Sequence, residues 1–289
     1  MGHELHYDYQ SFLLSNGNIA DKVRLINADN KIPPALQDEI MNELKTIQNS
    51  DGGIPFGFRR GAPSSVKETA ELLTLLVKFK DKYKDLIDGM SSFLVTRQKN
   101  DGGFAESLLL DPYIEDKWGG IGRDWYPVGK SITWLTGKAL EALSLVNYAE
   151  EDRLKRARDF LLHSQYEDGH WPDFIDRNIS DPLATGNILH GLKTIGVPED
   201  NKVYVSGRAA LLQHLSECLK SKSIFDMADL TAFGKPQTER EKEILENGIE
   251  LIIQAQNSDG GWIPLGAKKS DPELSSILVL EFRRANELL

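Results

Sequence analysis

The chain has 289 residues, with 44 Asp and Glu against 34 Lys and Arg, so its formal net charge is −10. This balance disfavours nucleic acid or an anionic membrane as a partner, because there is no surplus of cations to neutralise phosphates. The one cysteine, Cys218, excludes an intramolecular disulfide and any zinc site made of several cysteines. No apolar run approaches the ~18 residues of a transmembrane helix. The N-terminal residues lack a secretory-signal pattern, so we expect a cytoplasmic protein.

A short motif recurs along the chain and predicts a repeat architecture. It reads Gln-x-x-Asp-Gly-(Gly/His)-apolar, and its copies begin at Gln48, Gln98, Gln165 and Gln256. The wide gap before the last copy leaves room for a degenerate repeat near residues 221–233.

The segments around each motif have helical periodicity. Before the motifs, one apolar stripe predicts amphipathic outer helices, at residues 36–47, 86–94 and 154–161. After the motifs, apolar residues surround the whole helix, which is typical of burial on all sides, at residues 66–79, 132–146, 183–195 and 274–280. The chain therefore alternates amphipathic and buried helices.

Turn and cap signals agree with this alternation. A motif glycine such as Gly52 can adopt the left-handed conformation that ends an outer helix. Ser65-x-x-Glu68 predicts a capping box, and Asp181-Pro182 and Asp271-Pro272 are typical helix starts. Strand signals are nearly absent, so we predict an all-α array of hairpins with an inner and an outer layer.

The last copy, Gln256–Trp262, reads Gln-x-x-Asp-Gly-Gly-Trp and precedes an apolar helix. This resembles the repeat of the terpenoid cyclase and protein prenyltransferase superfamily, and the resemblance covers roughly residues 35–289. It implies an α/α toroid, with inner and outer rings of helices around a deep apolar cavity. We therefore expect a single toroid domain over residues 1–289, built from about five or six helical hairpins, with residues 5–29 supplying the missing pair.

The chemistry that the resemblance implies is incomplete. Class II terpenoid cyclases carry Asp-x-Asp-Asp at the start of an inner helix, where the middle carboxyl protonates an alkene or epoxide. The equivalent place in the third repeat reads Asp181-Pro182-Leu183-Ala184-Thr185, which keeps only the first acid. Protein prenyltransferases hold zinc with Asp, Cys and His late in the chain, but no His follows His214. We therefore predict no metal and no cofactor.

The third repeat supplies the first candidate site. Its acids and imidazole side chain are expected at the mouth of a cavity, where they could act as acid and base: Asp173, Asp176, Asp181 and His190. The alternative is structural, with Asp181 as a helix cap, His190 as a surface or core polar residue, and the other two as solvated loop acids. His170 and Trp171 lie beside them, and Trp171 also occupies the aromatic scaffold position of the repeat.

The second candidate site is the long interruption at residues 105–130. Its aromatic density argues against disorder. Aromatic faces suit a carbocation or a sugar ring, and arginines suit a diphosphate or carboxylate. The predicted substrate contacts are Arg59, Arg60, Trp118, Arg123, Asp124, Trp125, Tyr126, Trp134 and Trp171. The alternative is that the aromatics plug the toroid and the arginines pair with its acids.

These observations lead to one principal functional expectation and two alternatives. The principal one is a terpenoid cyclase- or prenyltransferase-like protein that binds an isoprenoid or similar apolar substrate, with cyclase or lyase acid/base chemistry that does not use Asp-x-Asp-Asp. One alternative is a carbohydrate-processing toroid similar to polysaccharide lyases. The other is a non-catalytic toroid that binds a ligand or docks a partner. The sequence leaves the substrate and the oligomeric state open.

Overall fold

Helices dominate the computed structural model, which describes residues 3–289. The helices are α1 (Tyr9–Asn16), α2 (Ile19–Ala28), α3 (Pro34–Ile47), α4 (Val66–Leu76), α5 (Lys84–Thr96), α6 (Asp111–Trp118), α7 (Thr133–Leu145), α8 (Glu151–His163), α9 (Pro182–Thr194), α10 (Lys202–Ser221), α11 (Glu239–Gln254) and α12 (Pro272–Leu288). Two antiparallel pairs of very short strands accompany them: β1 (Ile54–Pro55) with β2 (Ser64–Ser65), and β3 (Trp171–Pro172) with β4 (Ser180–Asp181). The predicted all-α class is confirmed.

The chain divides into two compact units. In the unit Lys45–Ala210, α7 packs against α4 on one side and α9 on the other. In the unit formed by the residues up to Leu44 and by Leu211–Leu289, α12 packs against α2 and against a 3-10 helix at Phe225–Asp229. The single-domain organisation over residues 1–289 stays a prediction.

The helices that follow a motif are α4, α7, α9 and α12, and we call them the inner helices. Each has a stretch of buried residues, as the apolar patterns predicted. Glycine allows α7 and α9 to approach each other closely, since a Cβ on Gly191 would lie 2.5 Å from the carbonyl oxygen of Gly137. The periodicity therefore identified the buried elements correctly.

The motif residues hold each turn in the same way. In the second copy, the Gln98 amide donates to the carbonyl oxygens of Gly102 (3.0 Å) and Arg153 (2.8 Å), which ties the turn to α8. Asp101 accepts from the backbone N–H of Gly103 (3.0 Å) and from Ser131 (2.8 Å) ahead of α7. Equivalent bonds recur in the other three copies. The motif glutamine therefore binds each turn to a neighbouring outer segment, and the motif aspartate binds it to the residue ahead of the inner helix.

The position that follows the motif aspartate requires glycine for two reasons. Gly102 has a φ of 94°, in the left-handed region where a side chain is unfavourable. A Cβ there would also lie 2.3 Å from the carbonyl oxygen of Arg156 on α8. The conformation and the close approach both require the absence of a side chain.

The interruption at residues 105–130 has helical structure of its own, since it contains α6 and 3-10 helices at Leu108–Leu110 and Gly120–Asp124. The predicted capping box is wrong, since the Ser65 hydroxyl donates to Glu68 and makes no bond to the start of α4. Glu106 caps α4 instead, by accepting from the backbone N–H groups of Val66 (2.9 Å) and Lys67 (3.1 Å).

The segments that the repeat left unassigned also have structure. Residues 9–28 form α1 and α2, and the predicted degenerate repeat at 221–233 contains the 3-10 helix Phe225–Asp229. Over residues 3–289, none of the helices combines the length and the hydropathy needed to cross a membrane.

Candidate functional site

A hydroxyl near the start of each inner helix aligns the repeats with one another. Thr69, Thr136 and Ser275 each accept a hydrogen bond from the backbone of the preceding motif, at 2.8–2.9 Å. Thr185 occupies the equivalent place in α9, where its hydroxyl lies 2.9 Å from His170 Nδ1. These four hydroxyls also donate to the carbonyl four residues earlier, so the helix starts share one register.

In this register α4 carries an acid that the sequence analysis did not single out as a site residue. The segment Ser65–Thr69 reads Ser-Val-Lys-Glu-Thr, and it aligns with Asp181–Thr185. Glu68 stands where the last acid of Asp-x-Asp-Asp would fall. Lys67 stands where that pattern would place its middle carboxyl. Glu68 is therefore the carboxyl group that α4 carries at the positions equivalent to Asp-x-Asp-Asp.

Glu68 belongs to a fully buried polar cluster in the unit Lys45–Ala210. Ser65, Glu106 and Tyr126 complete it, and each of the four side chains is at most 1% exposed. The Ser65 hydroxyl contacts Glu68 and lies 2.8 Å from Glu106 Oε1. The Tyr126 hydroxyl donates to the same Glu106 oxygen at 2.5 Å. Two carboxyl groups therefore meet at one serine hydroxyl.

The contacts of this cluster bear on which carboxyl group carries a proton. Ser65 and Tyr126 supply one hydroxyl proton each. Three contacts connect the four side chains: Ser65 to Glu68, Ser65 to Glu106, and Tyr126 to Glu106. The Ser65 hydroxyl proton can serve only one of the two carboxyl groups. A proton on Glu106 would allow that carboxyl to donate to the Ser65 hydroxyl while Ser65 donates to Glu68.

The electrostatics of the cluster agree with a proton on Glu106. Burial disfavours a charged carboxyl and raises the pKa of Glu106, although hydrogen bonds from Tyr126 and Val66 oppose the shift. The neighbouring charge of Glu68 raises the pKa of Glu106 further. Burial and the charge of Glu106 likewise hold the pKa of Tyr126 well above its usual range. Burial therefore favours the protonated form of Glu106.

An aromatic cluster adjoins the carboxyl pair. Trp125 stacks on Tyr126 with ring centroids 5.6 Å apart, and Trp134 lies 5.0 Å from Tyr126. Trp118 contacts Trp125 and Tyr126 edge-on at 5.0 and 5.8 Å, and it also contacts Phe56. The structure thus brings together four of the predicted contact residues: Trp118, Trp125, Tyr126 and Trp134.

Two of the three predicted acids of the third repeat have structural partners. Asp173 is buried and forms an ion pair with Arg177, and Asp181 caps α9 through the N–H groups of Leu183 and Ala184. Asp176 is exposed with a φ of 74°.

The aromatic and imidazole side chains of the third repeat lie in different settings. Trp171 is fully buried, and its indole N–H donates to the Leu161 carbonyl at 2.8 Å, as expected for scaffold. His190 is half-buried on α9. Catalytic roles for His190 and for Asp173, Asp176 and Asp181 stay predictions.

The predicted arginines meet acids of α6 or a nearby polar side chain. Arg123 binds both oxygens of Asp111 (2.7 and 2.9 Å) and also Glu115 (2.8 Å), and these bonds raise the pKa of its guanidinium. Arg59 pairs with Asp116 at 3.5 Å. Arg60 donates to Thr46 at 2.8 Å, and Asp124 is exposed. Arg59 and Arg123 thus pair with the protein's own acids, as the alternative interpretation expected. Substrate binding by Arg59, Arg60, Arg123 and Asp124 stays a prediction.

The half-buried positions of the inner helices are more polar in this unit than expected. In the shared register, α4 carries Glu71 and Thr74, α7 carries Lys138 and Glu141, and α9 carries Asn187 and His190. Glu71 lies 3.6 Å from the Lys67 ammonium and 3.1 Å from the Lys138 ammonium. In α12 the positions equivalent to Glu71 and Thr74 are the apolar Ile277 and Leu280.

Comparisons with known proteins identify the fold. No protein family profile and no curated protein matches the chain. Among solved structures, the type II terpene cyclase MstE from Scytonema is 16% identical with a TM-score of 0.67, over 94% of this chain and 88% of that one. A novel α-amylase from Clostridium perfringens is 11% identical with a TM-score of 0.61, over 92% and 84%. The ent-copalyl diphosphate synthase from Streptomyces platensis is 17% identical with a TM-score of 0.56, over 93% and 49%.

These similarities define the class of structure. The chain has an all-α fold of the α/α-toroid class, as the repeats and the superfamily resemblance predicted. Because one fold hosts both cyclases and an amylase, the chemistry has to be argued from the site.

Proposed function

We propose that this protein is a terpenoid cyclase-like enzyme that protonates an unsaturated isoprenoid substrate. The observation that carries the proposal is the buried contact of Glu68 and Glu106 with one serine hydroxyl, beside an aromatic cluster; we infer that the two carboxyl groups share a proton. MstE, which has the same fold, has been solved in complex with its substrate geranylgeranyl dihydroxybenzoate. That substrate suggests the class of molecule to test.

The chemistry follows from the properties of the pair. The proton lies between the two carboxyl groups. Once it is transferred, both groups are charged, and together they attract the carbocation that has formed. Protonation of a carbon–carbon double bond converts the pair to two carboxylates and the substrate to a cation. The faces of Trp118, Trp125 and Trp134 then stabilise that cation. Loss of a proton to a carboxylate ends the reaction, so the product is an isomer of the substrate.

The arginines are not needed in this mechanism. Arg59 and Arg123 are paired with acids of α6, so a diphosphate would have to displace those acids. The proposal therefore favours a substrate whose polar end is neutral or carries a carboxylate.

The test is a product assay in heavy water. Geranylgeranyl dihydroxybenzoate and geranylgeranyl diphosphate are incubated with the protein in D₂O and analysed by chromatography and mass spectrometry. We expect a cyclic isomer that has gained one deuterium and lost one hydrogen. Glu68→Gln and Glu106→Gln should each reduce its formation at least about 100-fold, the usual scale for an acid catalyst. The exposed residue Glu243 supplies the matched control, and Glu243→Gln should retain activity.

Absence of any isomer with every substrate, or full activity in both buried glutamine variants, would refute the proposal. Circular dichroism of each variant shows whether a loss of product reflects a loss of fold.

A second candidate, carbohydrate processing, is favoured by the polar half-buried positions of α4, α7 and α9. Polar and charged side chains suit sugar hydroxyls better than a hydrocarbon chain, and an amylase shares the fold. On this alternative, incubation with starch or uronic oligosaccharides releases shorter sugars, and Glu71→Gln reduces that activity. The cyclase mechanism predicts no such release.

A further inference from the structure

The unit that contains Leu211–Leu289 holds a cluster of side chains that the proposed function does not use. Its members are His214, Cys218 and Asp226. His214 and Cys218 lie one turn apart on the same face of α10, and Asp226 lies in the 3-10 helix that follows. The ligand atoms of the three residues all lie within 4.8 Å of one another. Cys218 is 6% exposed, whereas His214 and Asp226 are half-buried.

The distances match the coordination shell of a zinc ion. The His214 Nε2 atom lies 3.1 Å from Asp226 Oδ1 and 3.4 Å from Cys218 Sγ. In tetrahedral zinc with bonds of about 2.0–2.3 Å, neighbouring ligand atoms are about 3.3–3.8 Å apart. Imidazole nitrogen, thiolate sulfur and carboxylate oxygen are also the ligand types that zinc binds. The two distances from His214 Nε2 are therefore close to those around a bound ion, and the remaining separation is at most 4.8 Å.

The same geometry argues against a nucleophilic Cys-His-Asp triad. In a triad, the nucleophile and the acid contact opposite nitrogens of the imidazole ring. Here Asp226 and Cys218 both approach Nε2, while Nδ1 lies 3.8 Å from Cys218 Sγ. The two side chains thus meet on one side of the ring, which is the arrangement of ligands around a common centre.

We propose that His214, Cys218 and Asp226 bind a zinc ion, and that the half-buried side of the cluster leaves a fourth position for water. The Ser223 hydroxyl contacts the other carboxylate oxygen of Asp226 and orients it, as partners of metal ligands commonly do. Zinc binding releases the thiol proton to solvent. The ion would connect the end of α10 to the segment that holds the degenerate repeat. This set differs from the zinc ligands that the prenyltransferase resemblance implies. That pattern places a histidine after the cysteine, whereas His214 precedes Cys218.

The experiment uses the full chain without an affinity tag, stripped of metal with a chelator and then titrated with Co²⁺. We expect one Co²⁺ per chain, a thiolate-to-cobalt charge-transfer band in the near ultraviolet, and loss of the band when Zn²⁺ is added. Zn²⁺ should also raise the melting temperature. Cys218→Ser should abolish the band and weaken Zn²⁺ binding at least about 100-fold, and Ser223→Ala should weaken it about 10- to 100-fold.

The matched control is His163→Gln, because His163 is exposed and its ring contacts the Asp159 carbonyl of its own helix. This variant should bind both metals as the native chain does. The proposal is overturned if the native chain gives no thiolate band, or if Cys218→Ser keeps the same zinc affinity. Should Cys218→Ser fail to fold by circular dichroism, the cobalt spectrum of the native chain decides alone. These outcomes do not depend on the cyclase assay.

Discussion

Replacing Glu106 with Gln tests the shared proton through protein stability. Glu106 accepts hydrogen bonds from the N–H groups of Val66 and Lys67 and from the Tyr126 hydroxyl, and it also contacts the Ser65 hydroxyl. A glutamine amide presents N–H groups where one carboxylate oxygen accepted, so the Val66 N–H or the hydroxyls lose an acceptor. An unsatisfied buried donor costs about 1–3 kcal/mol, and a lost helix cap about 1 kcal/mol. We therefore expect Glu106→Gln to lower the free energy of unfolding by about 2–4 kcal/mol.

The pH dependence of this cost has a definite sign. Burial raises the folded-state pKa of Glu106 above its usual 4.5, so the folded chain binds more protons than the unfolded chain above that pH. The unfolding free energy of the native chain therefore falls as pH rises, by up to about 1.4 kcal/mol per pH unit for one proton. The amide of the Glu106→Gln variant has no such proton to lose. The destabilisation caused by this substitution should accordingly be largest near pH 4.5 and shrink as pH rises.

Urea denaturation followed by circular dichroism and tryptophan fluorescence, at a series of pH values from about 4.5 upward, measures this difference. Coincidence of the two signals checks that unfolding is two-state. The control variant Glu243→Gln makes the same substitution at an exposed position and should differ from the native chain by a small amount at every pH. A constant difference between Glu106→Gln and the native chain over the whole series would contradict the shared proton.

Two further predictions concern the scaffold. Gly102→Ala should lower the unfolding free energy by about 2–4 kcal/mol in urea titrations, because it adds a clash with Arg156 to a strained φ. Gly196→Ala, at a φ of 82° with open space around it, should cost only about 1 kcal/mol, and equal costs would show that the packing contact is unimportant. Arg123→Ala should leave the urea midpoint nearly unchanged, since the ion pairs of Arg123 are partly exposed. It should speed amide hydrogen exchange in α6. Unchanged exchange there would show that the bond from Arg123 to Asp111 does not hold α6 in place.

The fold could be predicted because its determinants are local. Periodicity identified the buried helices, and the motif glycines identified their turns. The helix α6 could have been found in the same way, since Asp111-Pro112 is the same start signal as Asp181-Pro182. It was missed because its short length and mixed polarity give no clear apolar stripe.

The buried acid cluster could not be predicted with equal ease. Glu106 reaches Val66 across 40 positions of the chain, so no local pattern connects them. Its one signal is a glutamate two residues after Phe104, within the otherwise apolar start of the interruption. Glu68 had a clearer signal, because aligning the helix starts on Thr69 and Thr185 places it opposite the end of the expected acid motif.

The inner helices show why the repeat determines the fold and leaves the chemistry undetermined. The hydroxyl position is held by the turn in each copy, whereas the position two residues earlier holds Lys67, Trp134, Leu183 or Glu273. Nothing in the scaffold constrains that position, so it can lose the acid that the superfamily resemblance implies while the fold persists. In this chain Glu106, from the segment after the second motif, approaches the same helix end as Glu68. A carboxyl pair at the start of α4 is thus assembled from two repeats, and a search for one contiguous motif was bound to miss it.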